Sequence, residues 1–143
     1  MNVVGITKEN YLELIEIWEA AVRATHDFLP EENILQLKPQ ILKHYFDAVE
    51  LRCIKKEEEI LGFIGVAESN IEMLFIKPEH FDSGIGYNLV TYAFDELNAS
   101  KVDVNEQNPN AIKFYEKVGF EKVGRSELDG QGNPFPLIHM QRN

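Results

Sequence analysis

A short glycine-rich segment between two patterned regions is the part of the sequence that points most clearly to chemistry. It reads Asp-Ser-Gly-Ile-Gly at residues 82–86, after a strand-like run at 71–76 and before a helix-like run that ends near Leu97. Gly84 and Gly86 lack a Cβ, so the backbone there can approach a ligand closely. A helix that begins at such a loop directs free N–H groups and the positive end of its dipole toward it. The spacing indicates a backbone-built site for a diphosphate, although a tight turn without a ligand gives the same pattern.

Four further side chains could take part in chemistry, and each also has an ordinary structural explanation. Tyr115 lies on the apolar face of a helix pattern, where a core tyrosine is the simpler interpretation. Glu72 alternates with apolar residues, so it either faces a ligand as a base or is a solvated strand residue. His26 has the side chain best suited to proton exchange at neutral pH, but an isolated histidine is commonly structural. Cys53 in a strand pattern fits a small buried apolar residue better than a nucleophile.

Other familiar catalytic patterns are not recognisable in the sequence. His44, His80 and His139 show no metal-ligand spacing with one another. Neither a catalytic triad nor a nucleotide-binding P-loop can be identified. We therefore expect no metal cofactor.

The composition is that of an ordinary globular protein. Its 143 residues predict one domain, over residues 1–143, with a sizeable core. The formal net charge of −10 argues against nonspecific binding of nucleic acid or an anionic membrane, and it is compatible with a cationic substrate. One cysteine excludes an internal disulfide framework, and no signal-like segment begins the chain, so we expect a cytoplasmic protein.

Hydrophobic periodicity predicts an α/β chain with a mixed, mostly antiparallel sheet and helices on both faces. Two helical regions come first, separated by a polar and aromatic link at residues 25–30. Pro39 is expected to kink or divide the second region. Strand patterns follow at 51–53, 60–67 and 71–76, and their short connections predict an antiparallel meander.

The second half of the chain alternates helices and strands. The helix after the glycine loop leads to a strand at 101–104, which we expect to run parallel to the strand before the loop. Asn108 and Pro109 open a further helix as cap and first residue, and Gly119 ends it. Two closing strands are predicted, at 120–128 and 137–140.

Three short sequence segments within this succession of helices and strands resemble the motifs of the GNAT N-acetyltransferases. The most specific, Asn-x-x-Ala-x-x-Phe-Tyr-x-x-x-Gly-Phe, occupies residues 108–120 and resembles the closing motif of that family. Gly-Phe-Ile-Gly at 62–65 resembles its third-strand pattern. Residues 73–76, Pro78 and the glycine loop resemble its acyl-CoA motif. The resemblance covers nearly the whole chain and implies the acyl-CoA N-acyltransferase fold.

Two other strings resemble a bacterial, YjaB-like subgroup of the family, namely Ala-Thr-His-Asp-Phe-Leu at 24–29 and Val-Asn-Glu-Gln-Asn at 104–108. The family resemblance implies transfer of the acetyl group of acetyl-CoA to a primary amine, by direct attack in a ternary complex. The acceptor would be a protein lysine or N-terminus, or a small cationic amine. The pantetheine arm would pair with the backbone of Leu74, Phe75 and Ile76. The pyrophosphate would accept hydrogen bonds from the N–H groups of Asp82, Ser83, Gly84, Ile85, Gly86 and Tyr87.

The resemblance also implies roles for individual side chains. The ammonium must lose a proton before it attacks, and the leaving thiolate must gain one. Tyr115 occupies the family's usual acid position, and Glu72 is the candidate base, directly or through water. Asn108 would contact the cofactor arm as well as cap its helix. The acceptor pocket would be lined by His26, Asp27, Phe28 and Asn105.

One position departs from the family pattern and keeps a second function open. The family loop usually begins with Arg or Gln where this chain has Phe81, and Asp82 adds negative charge beside the diphosphate. Losing one charge-assisted hydrogen bond costs about 1.5–3 kcal/mol, or roughly ten- to a hundredfold in affinity. The alternatives to an enzyme are a non-catalytic acyl-CoA-binding or sensor module and, more remotely, a domain for another phosphate ligand. The sequence does not identify the acceptor, the preferred acyl group or the oligomeric state.

Overall fold

The computed structural model describes residues 2–143, and a seven-stranded sheet in the order β1-β2-β3-β4-β5-β7-β6 forms its centre. β4 and β5 run parallel, and the other neighbouring strands in this order are antiparallel. The predicted mixed, mostly antiparallel sheet is confirmed, including the meander. The strands are β1 Val3–Gly5, β2 Glu50–Lys56, β3 Glu59–Ala67, β4 Asn70–Ile76, β5 Lys101–Asn105, β6 Glu121–Ser126 and β7 Leu137–Gln141.

Helices cover both faces of the sheet, as the periodicity predicted. On one face, α1 and α2 bury Leu14, Trp18 and Ile34 against β2, β3 and β4. On the other face, α3 and α4 bury Leu89 and Ile112 against the same sheet. Among residues 2–143, no helix has both the length and the apolar character that crossing a lipid bilayer requires. The helices are α1 Tyr11–Thr25, α2 Glu31–Gln40, α3 Ile85–Leu97 and α4 Pro109–Lys117.

The irregular stretch in the second helical region follows Pro39 instead of dividing the helix there. Pro39 lies in the last turn of α2, and the chain continues as a π-helical turn, Ile41–Tyr45. A wider turn of this kind accommodates a local change in hydrogen-bond register without ending the helical path. The predicted division of this region is thus found just after Pro39, where the π-helical turn begins, and that turn carries Tyr45 toward the β6–β7 loop.

A β-bulge at Glu72 changes which face the β4 side chains occupy. Gly65 pairs with Met73, and Val66 pairs with Ile71, so Glu72 is an extra residue in β4. Ile71 consequently packs with the core under α3, whereas Met73 packs with the core under α1. The predicted simple alternation across residues 71–75 is wrong, because an inserted residue reverses the phase of every later side chain.

Candidate active site

The parallel strands β4 and β5 separate after their first residues and leave an opening in the middle of the sheet. Their register consists of Asn70 with Lys101 and Ile71 with Val102. Beyond these pairs, β4 continues to Ile76 on β3, while β5 continues on β7. We call the opening between residues 73–76 and 103–105 the donor cleft. Backbone groups along an open strand edge can pair with an extended ligand that lies like an added strand.

The glycine loop at the end of the donor cleft supplies free backbone donors. The first N–H groups of α3 have no carbonyl of their own helix to bind. Ser83 differs from its neighbours, since its N–H donates to the His80 carbonyl at 3.3 Å and its hydroxyl to the same oxygen at 2.5 Å. The predicted donor set is therefore smaller by one residue. Among loop residues 82–87, the N–H groups that find no backbone acceptor in residues 2–143 are those of Asp82, Gly84, Ile85, Gly86 and Tyr87.

The two loop glycines serve different purposes. Gly84 has φ +83°, a left-handed conformation that favours glycine, and a Cβ there would meet nothing within 4 Å. A Cβ on Gly86 would lie 3.2 Å from Cζ of Phe114, on α4. Gly86 thus lets α4 pack against the start of α3. The expectation that both glycines clear space for a ligand is wrong for Gly86, because Phe114 fills the space beside it, and it stays a prediction for Gly84.

No basic side chain belongs to the loop at residues 81–87. Phe81 is 39% exposed, and Asp82 is exposed. The nearby Lys77 is paired, with its Nζ 2.8 Å from Oε2 of Glu59. An anion at this loop would therefore depend on backbone donors and on the helix dipole of α3.

Tyr115 combines a buried ring with an accessible hydroxyl. The residue is 6% exposed, and its ring packs edge-on against Phe114 and Phe120, with centroids 5.1 and 5.5 Å away. Its hydroxyl has no hydrogen-bond partner among the described residues. None of the side-chain oxygens of these residues is fully buried without a partner, and this applies to the Tyr115 hydroxyl as well. The hydroxyl is therefore reached by solvent. Burial raises the pKa of Tyr115, so the phenol stays protonated and able to donate.

Asn108 connects the end of β5 to the start of α4. Its Oδ1 accepts the N–H of Ala111 at 3.3 Å, which confirms the predicted helix cap. Its own N–H donates to the Asn105 carbonyl at 3.0 Å. This turn joins one edge of the donor cleft directly to the helix that carries Tyr115.

A cavity of about 200 Å³ lies beside the donor cleft on the face covered by α1 and α2, and we call it the acceptor cavity. Phe75 and Asn105 line it from the two edges of the donor cleft, so the two spaces adjoin. Asn105 thus lies where a wall of the site was predicted, and its role toward a substrate stays a prediction. The remaining lining side chains come from α1, α2, the link between them, β7 and the loop before β7. In the whole lining, the Phe and Trp side chains are Trp18, Phe28, Phe75 and Phe135.

The link between α1 and α2 contributes two of its three predicted residues to this cavity. His26 and Phe28 line it, with ring centroids 5.3 Å apart, whereas Asp27 is exposed and does not. The Thr25 hydroxyl donates to a backbone carbonyl of α1, so the 2.7 Å contact with His26 Nδ1 has the imidazole N–H as donor. Burial lowers the pKa of His26, and the charge of Asp27 opposes this shift. The ring therefore favours its neutral form.

The β6–β7 loop supplies an acidic residue that the sequence did not single out. Asp129 is the one carboxylate that lines the acceptor cavity among the described residues. Its Oδ1 accepts the N–H groups of Gln131 and Asn133, both at 2.9 Å. Gln131 also donates to the Tyr45 hydroxyl at 2.9 Å, which ties the loop to the π-helical turn. Sequence patterns marked this stretch only as a connection, because its Gly and Pro residues are ordinary turn signals.

Glu72 and Cys53 lie outside this cavity. Glu72 is exposed in the β4 bulge and is not among the lining residues. Cys53 is fully buried in the core under α1, as predicted, and burial raises the pKa of its thiol. In the part of the chain that the structure describes, no three His, Cys, Asp or Glu side chains gather in a way that could hold a metal ion.

Comparisons with known proteins agree with this arrangement. A family model described as an acetyltransferase (GNAT) domain matches residues 20–142. The peptidyl-lysine N-acetyltransferase YjaB of Escherichia coli is 36% identical over 128 residues, which cover 90% of this chain and 87% of that protein. YjaB of Salmonella typhimurium is 36% identical over 140 residues, covering 98% and 97%. The solution structure of apo YjaB from E. coli superposes with a TM-score of 0.86 at 33% identity, covering 98% of this chain and 95% of that one.

Proposed function

The chain belongs to the GNAT N-acetyltransferase family, and we propose that its acceptor is the side-chain amine of a lysine in a peptide or protein. The family, the YjaB-like subgroup, the acetyltransferase activity and acetyl-CoA as donor, all implied by the sequence resemblance, are confirmed. The identity of the amine and the roles of single residues form the proposal.

The acceptor cavity carries this proposal. Its aromatic walls suit an alkyl stem, and aromatic faces also attract a cation near them. Asp129 adds one negative charge to the wall. At about 200 Å³ the cavity is smaller than the about 300–1,000 Å³ of sites for drug-sized ligands. A slender chain that ends in one ammonium group fits these properties, and lysine has such a side chain.

The proposed reaction is direct transfer between the two adjoining spaces. The deprotonated amine attacks the thioester carbonyl of acetyl-CoA, the new C–N bond forms and the C–S bond breaks. Tyr115 would donate its hydroxyl proton to the leaving sulfur, since this phenol is protonated and has no hydrogen-bond partner among residues 2–143. The proton that the acetylated nitrogen then loses would restore the Tyr115 hydroxyl. Glu72, exposed in the bulge, would reach the acceptor only through water.

The donor would be held largely by backbone. The open edge of β4 at Leu74, Phe75 and Ile76 suits the amide groups of the pantetheine arm, and Asn108 stands at the opposite side of the donor cleft. The five free N–H groups of the glycine loop suit the pyrophosphate. Within this proposal residues 1–143 act as one domain, and the expected cytoplasmic location stays a prediction.

A polyamine acceptor is the second candidate, because it also has alkyl stems and ammonium groups. The single carboxylate in the cavity wall favours a ligand with one buried cation over a ligand with several. An N-terminal amine has no long stem to place between the aromatic walls. These differences rank the three acceptors as lysine, polyamine and N-terminus.

The experiment compares acceptors with the purified protein and acetyl-CoA. The acceptors are a lysine peptide with a blocked N-terminus, the same peptide with norleucine instead of lysine, a free N-terminal peptide without lysine, and spermidine. Mass spectrometry should find acetylation of the lysine peptide at the highest kcat/KM and none of the norleucine peptide. Faster turnover of spermidine or of the free N-terminus would contradict the proposed acceptor.

A further inference from the structure

Three polar side chains on neighbouring strands form a hydrogen-bonded chain beside the acceptor cavity. His139 Nδ1 on β7 is 2.6 Å from Oδ1 of Asp103 on β5. His139 Nε2 is 2.7 Å from Oγ of Ser126 on β6. The connectivity is that of a Ser-His-Asp triad, which the sequence analysis did not find because the three residues belong to separate strands.

The two contacts determine how protons are arranged. A carboxylate only accepts hydrogen bonds, so Nδ1 of His139 carries a proton and donates to Asp103. In the neutral ring, Nε2 then has a free lone pair and accepts from the Ser126 hydroxyl. This is the arrangement in which a serine hydroxyl can pass its proton to an imidazole that a carboxylate orients.

The chain lies on the same face of the sheet as the acceptor cavity. Asn105 and Leu137 are register partners and both line the cavity, and Asp103 and His139 form the next pair on that face. Two residues along a strand span about 6.5–7 Å. Ser126 is the β6 register partner of Leu137, so it lies one strand away from a residue of the cavity wall, although none of the three residues of this hydrogen-bonded chain lines the cavity itself.

The ring is also open to bulk water. The side chain of His139 is 34% exposed and that of Asp103 is 43% exposed. Cross-strand polar pairs of this kind stabilise a sheet by modest amounts, which is the purely structural explanation. That explanation accounts for either contact by itself but assigns no purpose to a continuous chain that begins beside a strand of the cavity wall and ends in solvent.

Direct transfer requires a group that takes a proton from the acceptor ammonium, and the other groups near the cavity are poorly placed for it. Glu72 is exposed in the β4 bulge and is not the register partner of any residue that lines the cavity. Oδ1 of Asp129 already accepts two backbone N–H groups, and Asn133 occupies its Oδ2 at 3.4 Å. Burial lowers the pKa of His26, which makes that ring a weaker base.

We propose that Ser126, His139 and Asp103 form the relay that removes the proton from the acceptor amine, an inference that rests on the proposed function of the acceptor cavity. The ammonium gives a proton through one water molecule to Ser126 Oγ, while the Ser126 hydroxyl proton moves to His139 Nε2. The amine lone pair is then free to attack the thioester. The imidazolium, stabilised by Asp103, returns its proton to solvent.

The first test is the pH dependence of turnover in His139→Gln, with the lysine peptide as acceptor. A lysine ammonium has an ordinary pKa of about 10.4, so at high pH the amine is deprotonated before it binds. We expect kcat at pH 7 to fall about 10²-fold, the usual scale of general base catalysis, with the KM of both substrates unchanged. The deficit should shrink steadily as the pH approaches 10. His44→Gln, exposed on the π-helical turn and absent from the lining of the acceptor cavity, is the matched control.

Several results would overturn the relay. These are an equal loss at every pH, no loss, or a pH-dependent loss in His26→Gln instead of His139→Gln. Asp103→Asn should reproduce the pH-dependent deficit, because an asparagine provides no negative charge for the imidazolium. The other charged groups on this face of the flanking strands, Lys101 on β5 and Glu121 on β6, remain in every variant, so they do not confound the comparison.

A second test does not depend on turnover. Addition of n-butylamine, a mimic of the lysine side chain, to the CoA-bound protein should shift the ring ¹⁵N signals of His139. A shift in a protein that acetylates no lysine peptide would refute the proposed acceptor while supporting the position of the relay. An unchanged His139 signal at saturating amine would overturn the relay itself.

Discussion

The donor cleft and the acceptor cavity adjoin at Phe75 and Asn105, but they are built from different kinds of atoms. The donor cleft offers backbone groups of β4 and of the glycine loop, and no basic side chain belongs to that loop. The acceptor cavity offers side chains: four aromatic rings, one carboxylate and one imidazole. Under the proposed function, the backbone donors would bind the phosphate and amide groups of the donor, whereas the side chains would select which amine enters.

This difference indicates which of the two regions would determine the specificity for the acceptor. A site made of backbone is determined by strand ends, a bulge and a helix start, so most side-chain substitutions leave it intact. A site made of side chains from seven parts of the chain changes with each substitution. We therefore expect variants of the two regions to separate cleanly into effects on acetyl-CoA binding and effects on the acceptor.

Tyr115→Phe should have the largest effect on turnover. The proposed acid takes part in the acetyl transfer itself and in the binding of neither substrate. We expect kcat to fall about 10²-fold or more, the scale of general acid catalysis. Acetyl-CoA affinity and melting temperature should not change, since the hydroxyl has no hydrogen-bond partner among the described residues. Steady-state kinetics, calorimetric titration and thermal melts measure the three quantities. Tyr92→Phe on α3 is the control, and unchanged turnover in Tyr115→Phe would refute the assignment.

Asp129→Asn should affect the acceptor side alone. The asparagine Oδ1 can still accept the N–H groups of Gln131 and Asn133, so the loop is kept while the charge is lost. Loss of a charged partner costs about 1.5–3 kcal/mol, which predicts a roughly ten- to a hundredfold lower kcat/KM for the lysine peptide. Intact mass should be checked, because an asparagine before Gly130 is prone to deamidation.

The control for this variant is Asp95→Asn, on the exposed side of α3. Acetyl-CoA affinity should be the same in both variants and in the wild type. A weaker affinity for acetyl-CoA in Asp129→Asn would show that the two sites are not separable in this way.

Phe81→Arg should affect the donor side alone, in the favourable direction. An arginine at this exposed position would add one charge-assisted donor to a loop that has none, and we expect acetyl-CoA to bind about tenfold more tightly at low salt. The gain should diminish as salt is added, because exposed charges are screened. Calorimetric titration measures both, with Phe81→Leu as control. Equal affinity in the two variants would mean that the backbone donors alone suffice.

Glu19→Gln should have the smallest effect, on the packing of α1 and α2 that shapes the acceptor cavity. The Lys38 ammonium at 2.5 Å, and then the Arg23 guanidinium, hold the pKa of Glu19 below its ordinary 4.5. Exposed ion pairs contribute about 0.2–1 kcal/mol, so the melting temperature at pH 7 should fall slightly.

The pH dependence distinguishes this ion pair from a packing effect. A carboxylate whose pKa is lowered by folding stabilises the fold above its unfolded pKa, and this contribution is lost as the pH falls through the folded pKa. The difference in melting temperature between wild type and Glu19→Gln should therefore disappear below the ordinary glutamate range. A difference that persists in acid would contradict the ion-pair explanation, and Glu116→Gln on α4 is the control.

Most of the fold and of the donor cleft could be predicted from the sequence, and much of the acceptor side could not. Helices, meander and glycine loop follow from local patterns, because turn residues and periodicity act over short distances. Asp129 was missed because the linear sequence does not distinguish an aspartate in a turn from an aspartate that lines a cavity. The Glu72 bulge was missed because strand periodicity assumes that every residue is paired.

The sequence by itself determined the family, the order of elements, the free helix start at the glycine loop and the cap at Asn108. Each of these depends on backbone preferences of a few neighbouring residues. The tertiary structure decided that Gly86 accommodates Phe114, that Phe135 joins Phe28 in one cavity, and that Ser126, His139 and Asp103 meet. Such contacts depend on strand register and on long-range packing, which no local pattern encodes.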